Sequence, residues 1–425
     1  MRTTKTQKLV FGKSAIKEKI LKARSVYIHL PFCKSICPYC DFASYANKSA
    51  EIKAAYLAAL KTEIRAVGEL LRSSSYHGAA HKRTSSRLEA TDKFTIDTVF
   101  FGGGTPSIHS AKEIEEILNV LKDYVVFSDD VEITLEANPG TVDLEKLQAF
   151  KDIGINRLSI GVQTFNQDIL SKLARGHTVE ETFEIIDLIK KVNFKSWSFD
   201  LIYGLPHQSL DDWKSTLELA LEKDSPHLSA YALSIEPITP FGSIYGSSEH
   251  PDLAGEEALA EMYEVCNQML KEKGLNRYEV SNWAKDGHES RHNLCYWKAD
   301  EYLAFGLSAH GYLMGYRFAH TRDIEEYIRL FTQPIDILKQ ALGNGSIYEE
   351  YKFISKKEAL EEEIMLGLRL STGLEKRDEI LNLLNREKIN TLISEGFIFE
   401  YPDRFTLSEK GYFLSNGVIS YILAG

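Results

Sequence analysis

The chain has 425 residues, 44% of them hydrophobic and 26% charged, and a formal charge of −11. That length exceeds one typical core and points to two or three domains, or to a barrel with an appendage. The acidic balance argues against a nucleic-acid partner, which normally leaves a basic footprint, and there is no apolar run of the 18 residues needed for an integral membrane segment.

Residues 1–23 read as a basic N-terminal extension; up to Arg24 there are eight Lys or Arg against one acid, Glu18. It lacks the Arg and Ser richness of a transit peptide and the apolar core of a signal sequence. Short β-branched or aromatic runs then alternate with helical patterns, as in a parallel sheet. Strands are predicted at 25–30, 96–101, 131–136, 156–161, 197–202 and 228–233. Between them, apolar residues at three- and four-residue spacing predict helices at 51–72, 111–124, 143–152, 167–190 and 209–222. Six such units are too few for a closed eight-stranded barrel. They predict an α/β fold, an open six-stranded (β/α)6 partial TIM barrel over residues 24–250.

Residues 72–95, rich in Ser, Arg and His without apolar periodicity, read as an inserted loop. A helix at about 254–273 opens a region, 251–345, that extends the core and holds an aromatic-rich stretch ending at Trp297. From 346 to 425, helices at 356–370, 376–383 and 387–395, short strands at 397–400 and 404–407, and a helix from Ser408 predict a small winged-helix-like domain. No basic recognition helix marks it as DNA-binding.

Three of the five cysteines lie close together, Cys33, Cys37 and Cys40, in a C-x3-C-x2-C loop directly after the first strand. In a reducing cytosol, the compartment this composition suggests, such clustering favours metal over disulfides. Thiolates are the usual ligands of iron–sulfur clusters. Structural zinc normally takes four protein ligands, and neither a second C-x2-C pair nor an H-x3-H follows at the usual spacing. Cys266, within a helical pattern, reads as core. Three sulfurs leave one metal position open to a small chelating donor.

The remaining candidates sit at strand ends, where a barrel of this type places its functional groups. Gly102, Gly103 and Gly104 precede Thr105 after the second strand and let the backbone approach a ligand closely. Glu136 ends the third strand, either as an acceptor for a ligand hydroxyl or ammonium or as a solvated acid near a helix start. Gln163 after the fourth strand suits a ligand contact or a loop tie, and Arg175 a carboxylate fork or an ordinary surface position. Asp200 is a charge within an apolar strand and needs a partner.

The stretches YIHLPFCKSICPYCDF, FFGGGTPS, LEANPG, RLSIGVQTF, LARGH and DLIYGLPHQS resemble, in this order, radical S-adenosylmethionine proteins related to oxygen-independent coproporphyrinogen III oxidase. The resemblance covers about residues 24–310. It implies a [4Fe–4S] cluster on Cys33, Cys37 and Cys40, with S-adenosylmethionine chelating the fourth iron. It further implies that Tyr27, Gly103, Gly104, Thr105, Glu136, Gln163, Arg175 and Asp200 contact the cofactor and that Tyr39 shields the cluster.

Two features separate the branches of this group. Oxidases carry a fourth cysteine two positions after the third, where this chain has Phe42. The segment His292-Asn293-Leu294-Cys295-Tyr296-Trp297 resembles the H-N-x-x-Y-W signature of the HemW-type haem chaperones, which implies haem as a ligand and His292 as its axial donor. By chemistry alone, a histidine among aromatics is usually a satisfied core residue. The expected function is haem uptake and transfer to an acceptor protein, a respiratory one among the candidates, with a flavodoxin or ferredoxin as electron donor and a homodimer as candidate assembly. The alternative is radical oxidative decarboxylation of coproporphyrinogen III.

Overall fold

The computed structural model describes residues 22–73, 94–246 and 250–423. The predicted loop at 72–95 lies outside them except at its edges, which belong to a helix and a strand, and the basic extension lies outside them up to Leu21. Six parallel strands form the centre of the fold: β1 (Ser25–Leu30), β2 (Phe94–Gly103), β3 (Val125–Ala137), β4 (Arg157–Gln163), β5 (Ser196–Tyr203) and β6 (His227–Ala232). They pair in sequence order, each parallel to the next. Their side chains are buried almost without alternation, as in β1 and β4, because a parallel sheet is covered on both faces.

Helices return the chain between strands: α1 (Ala50–Ser73), α2 (Ala111–Lys122), α3 (Leu144–Asp152), α4 (Gln167–Lys172), α5 (Val179–Val192) and α6 (Leu210–Glu222). Reciprocal capping boxes start α2 (Ser110 with Glu113), α5 (Thr178 with Glu181) and α6 (Ser209 with Asp212). The single helix expected at 167–190 is therefore two. Ala174 adopts a left-handed φ of 49° and Thr178 caps a new helix, so Arg175 lies in the break.

The sheet continues beyond the six strands. At one edge lie β7 (Asn276–Glu279) and β8 (Asn282–Ala284); at the other, β9 (Tyr302–Phe305) pairs parallel to β1 and leads to β10 (His310–Leu313), β11 (Tyr316–Ala319) and β12 (Glu350–Phe353). The twelve strands form a linear order with unjoined ends, so the barrel is open. After Ser355 come helices and a three-stranded antiparallel sheet of Leu374–Glu375, Arg404–Leu407 and Ile398–Glu400. One hydrophobic core runs from Ala23 in the barrel to Ile422 in the last helix. Among the described residues no helix is long and apolar enough to cross a membrane.

Candidate cofactor cleft

The cysteine loop leaves β1 and is pinned from several sides. The Tyr45 N–H donates to Pro31 O at 2.6 Å, Phe241 N–H to Pro38 O at 2.9 Å, and Cys40 N–H closes a turn on Cys37 O at 3.0 Å. The glycine turn after β2 packs against it: Gly104 N–H reaches Leu30 O at 2.9 Å and Thr105 N–H reaches Phe32 O at 2.8 Å. A Cβ on Gly104 would stand 2.7 Å from Phe32 O, and Gly103 has φ +116°, so both positions require glycine.

The three cysteines line one wall of a cavity of about 520 Å³, within the range of small-molecule sites. Thr105 Oγ1 lies 3.5 Å from Cys33 Sγ, and Arg175 Nη1 lies 3.6 Å from Cys37 Sγ and 3.4 Å from the Tyr39 hydroxyl. Burial pushes the Cys33 and Cys40 thiols up, and a bound cation reverses that penalty. Among the described residues no three His, Cys, Asp or Glu side chains converge on a position for one metal ion. Three sulfurs spread along a cavity wall fit a multi-iron cluster, in which thiolates ligate separate irons, better than a single zinc ion.

Opposite the sulfurs stand two carboxylates. Glu136 lies at the end of β3, directly across from Ser159, and accepts the Gly103 N–H at 3.2 Å. Asp200 lies across from Gly161 and Ser229 and accepts from Ser159 Oγ at 2.8 Å. Burial and the neighbouring Asp200 push the Glu136 carboxyl up to about 8, against the opposing Gly103 bond. Burial likewise raises Asp200, the Ser159 hydroxyl opposing it. Such a pair favours a cationic ligand. Arg175, held by bonds of 2.6 Å to both Asn138 Oδ1 and Gly161 O, adds a fixed positive charge beside the sulfurs. The cleft is thus matched to a molecule with separated positive and negative groups.

Cys33, Cys37, Cys40, Tyr39, Gly103, Gly104, Thr105, Glu136, Gln163, Arg175 and Asp200 all line this cavity. Tyr27 stands one layer behind, stacked on the lining residue Phe100 at 6.2 Å, with its hydroxyl 3.0 Å from His29 Nδ1. His292 is fully buried: its Nδ1 is 2.8 Å from Thr98 Oγ1, its Nε2 is 2.7 Å from the Tyr296 hydroxyl, and its ring stacks on Phe100 at 5.1 Å. Both nitrogens are engaged, and burial drops the imidazole to about 3, so it is neutral. Asn293 of the same motif does line the cavity.

Sequence reasoning passed over Asn138 and Ser159. Asn138 Nδ2 donates to Thr105 Oγ1 at 3.1 Å while its Oδ1 holds Arg175, so it joins the glycine turn to the arginine. Its signal was its place immediately after Glu136-Ala137. Cys266 is fully buried in the core and does not line the cavity that holds Cys33, Cys37 and Cys40.

Comparison with known proteins gives three results. Residues 27–220 match the model of the radical SAM superfamily. Two proteins named heme chaperone HemW are similar along nearly their whole length. The one from Bacillus subtilis is 33% identical, covering 94% of this chain and 99% of its own length; the one from Escherichia coli is 32% identical, covering 94% and 98%. The solved structure of the Escherichia coli coproporphyrinogen III oxidase HemN, described as a radical SAM enzyme, superimposes with a TM-score of 0.75 at 19% identity, over 96% of this chain and 92% of that one. At that identity the last result speaks for the shared fold.

Proposed function

This chain belongs to the HemW haem chaperone family of radical SAM proteins, and from that premise we propose that it takes up haem and passes it to an acceptor protein. The observation that carries the reading is similarity to haem chaperones spanning 99% of a relative's length. The cysteine loop agrees with it: where an oxidase has its fourth cysteine, Phe42 stands 73% exposed.

Cys33, Cys37 and Cys40 hold the [4Fe–4S] cluster, and Tyr39 covers it. Glu136 and Asp200 receive the positive groups of S-adenosylmethionine. Gly103 and Gly104 admit it against the backbone, while Thr105, Gln163 and Arg175 fix its orientation, and Tyr27 backs that wall through Phe100. When bound, cluster and cofactor together supply one-electron chemistry. The protein's own contribution is to orient the ligand and to set two carboxylates where its positive groups fall.

His292 joins haem binding only through a rearrangement. Its Nε2 must release the Tyr296 hydroxyl, and the helix Arg291–Trp297 must lift from the sheet, before iron reaches it. We read residues 251–345 as the haem-binding extension of the core and 346–425 as a small winged-helix-like domain. A haem protein of a respiratory chain is the acceptor, a flavodoxin or ferredoxin the electron donor, and a homodimer the assembly in a reducing, cytoplasmic setting.

The test supplies anaerobically reconstituted, reduced protein with S-adenosylmethionine and either coproporphyrinogen III or haem. Stoichiometric Soret absorbance with haem, and no decarboxylation of the porphyrinogen, is expected. Conversion to protoporphyrinogen IX would overturn the reading in favour of the oxidase.

A further inference from the structure

The cofactor cleft does not end at the two carboxylates. Inward positions alternate along a strand, and on β4 they are Arg157, Ser159, Gly161 and Gln163, all of which line the cavity, while Leu158, Ile160 and Val162 pack in the core. Sheet register stacks the inward residues in layers. Gly161, Asp200 and Ser229 lie level; beneath them come Glu136, Ser159, Ser198 and His227, and beneath these Thr134, Arg157 and Ser196. Barrels of this kind normally fill their interior with bulky branched side chains. Here serines hold inward positions, and the cavity continues down to Arg157, Ser198, His227, Ser290 and Asn293.

That floor carries a charge without a counter-charge. Arg157 is 3% exposed, and its Nη1 donates to two neutral acceptors, Ser196 Oγ at 2.9 Å and His288 O at 3.1 Å. It makes no ion pair among the described residues, and none of them accepts from its Nε or Nη2. A guanidinium stays charged when buried, so its free edge is matched by an anion with two oxygens. His227 adds a second donor. Its Nε2 is 2.8 Å from the Tyr278 hydroxyl, which already accepts the Ser290 N–H at 3.3 Å. The hydroxyl proton has no other acceptor among the described residues and goes to Nε2, which leaves the imidazole proton on Nδ1, a buried atom without a partner. Burial and the nearby Arg157 keep the ring neutral.

One positive charge and a neutral donor suit a monoanion, since Glu136 and Asp200 above would repel a dianion, and the planar fork matches a carboxylate. The cofactor's own carboxylate belongs beside the sulfurs, where Arg175 stands. Arg157 opens β4 at the far end of the parallel strands from the cysteine loop, which follows the end of β1. We propose that the floor of the cleft is a second ligand site, in which Arg157 and His227 hold the carboxylate of a small monocarboxylic acid beneath S-adenosylmethionine. The proposal rests on the cofactor reading above only for what lies over this ligand.

The experiment uses the full chain with its cluster and S-adenosylmethionine bound, and isotope-labelled propionate as the probe. The carboxyl resonance of propionate should shift saturably on wild type, and propionate should raise the melting temperature with its concentration. Arg157→Gln should weaken propionate binding by about tenfold or more, and Arg157→Lys, which keeps the charge without the fork, should weaken it as well. Both variants should keep wild-type S-adenosylmethionine affinity in equilibrium dialysis and melt no lower than wild type without propionate, since a buried unpaired charge is not a source of stability. Equimolar chloride or phosphate should leave the probe bound. No saturable shift on wild type, unchanged affinity in both variants, or equal displacement by chloride would overturn the proposal. Loss of S-adenosylmethionine binding in both variants would overturn it by placing Arg157 in the cofactor's own site. A wild type that binds no S-adenosylmethionine would remove the cofactor reading, and the propionate titration would still decide the floor site.

Discussion

Replacing Glu136 by Gln should stabilise the cluster-free protein at alkaline pH. The unfolded carboxyl releases its proton near 4.5, whereas the folded one holds it to about 8. Between those values the unfolded state binds fewer protons, so stability falls as pH rises and levels off above the folded value. The full gap corresponds to a ceiling of ~5 kcal/mol. Cleft water reaches this half-buried side chain and screens it, which leaves roughly 1–2 kcal/mol. Glutamine keeps the bond from the Gly103 N–H and removes the charge beside Asp200. Urea unfolding of wild type and Glu136→Gln at about pH 4.5, 6, 7.5 and 9 reads this directly. The curves should nearly coincide at pH 4.5, where the folded carboxyl is protonated and the unfolded one half so, and lie apart by about pH 9 with the variant more stable. A variant less stable at pH 9, or parallel pH dependences, would refute the electrostatic argument. A cationic ligand at this position offsets the same penalty, which is why a destabilising pair of acids belongs in a binding cleft.

Three other perturbations probe separate parts of the site. Cys33→Ala, Cys37→Ala and Cys40→Ala should each abolish the brown chromophore, while Cys266→Ala should keep it and cost only about 1 kcal/mol of packing in thermal unfolding. Gly161→Ala would place a Cβ 2.5 Å from Asn138 Oδ1 and 2.7 Å from Arg175 Nη2. It should displace the arginine and weaken S-adenosylmethionine binding by about tenfold or more in equilibrium dialysis, leaving the cluster's iron content unchanged. His292→Ala should destabilise even haem-free protein by about 2–4 kcal/mol, since it opens a core cavity and orphans the Thr98 and Tyr296 hydroxyls.

The barrel strands were legible because parallel strands buried on both faces read as continuous β-branched runs; Ser25–Leu30 has the bounds its sequence suggests. The break between Lys172 and Val179 was less so. Apolar periodicity continues across it, and only Gly176 and the Thr178…Glu181 pair mark the restart. The edge strands β7 to β12 were missed, since short pairs rich in aromatic residues lack a clean period of two. Within the site, the sulfur loop and strand-end residues could be read directly, each lying beside its own turn. The joining contacts could not: Glu136 opposite Ser159 and Asp200 opposite Gly161 are products of sheet register between residues far apart in sequence. The sealing of His292 was equally invisible, because Thr98 lies 194 positions away.

The central claim is that this chain gives up haem to another protein. The most direct measurement loads the chain with one equivalent of haem, removes the excess, and mixes it with an apo form of a b-type haem protein. Transfer is expected to rise with acceptor concentration and to outpace the loss of haem to a scavenger alone. Haem retained by the chain, or lost at a single rate set only by free dissociation, would contradict the account.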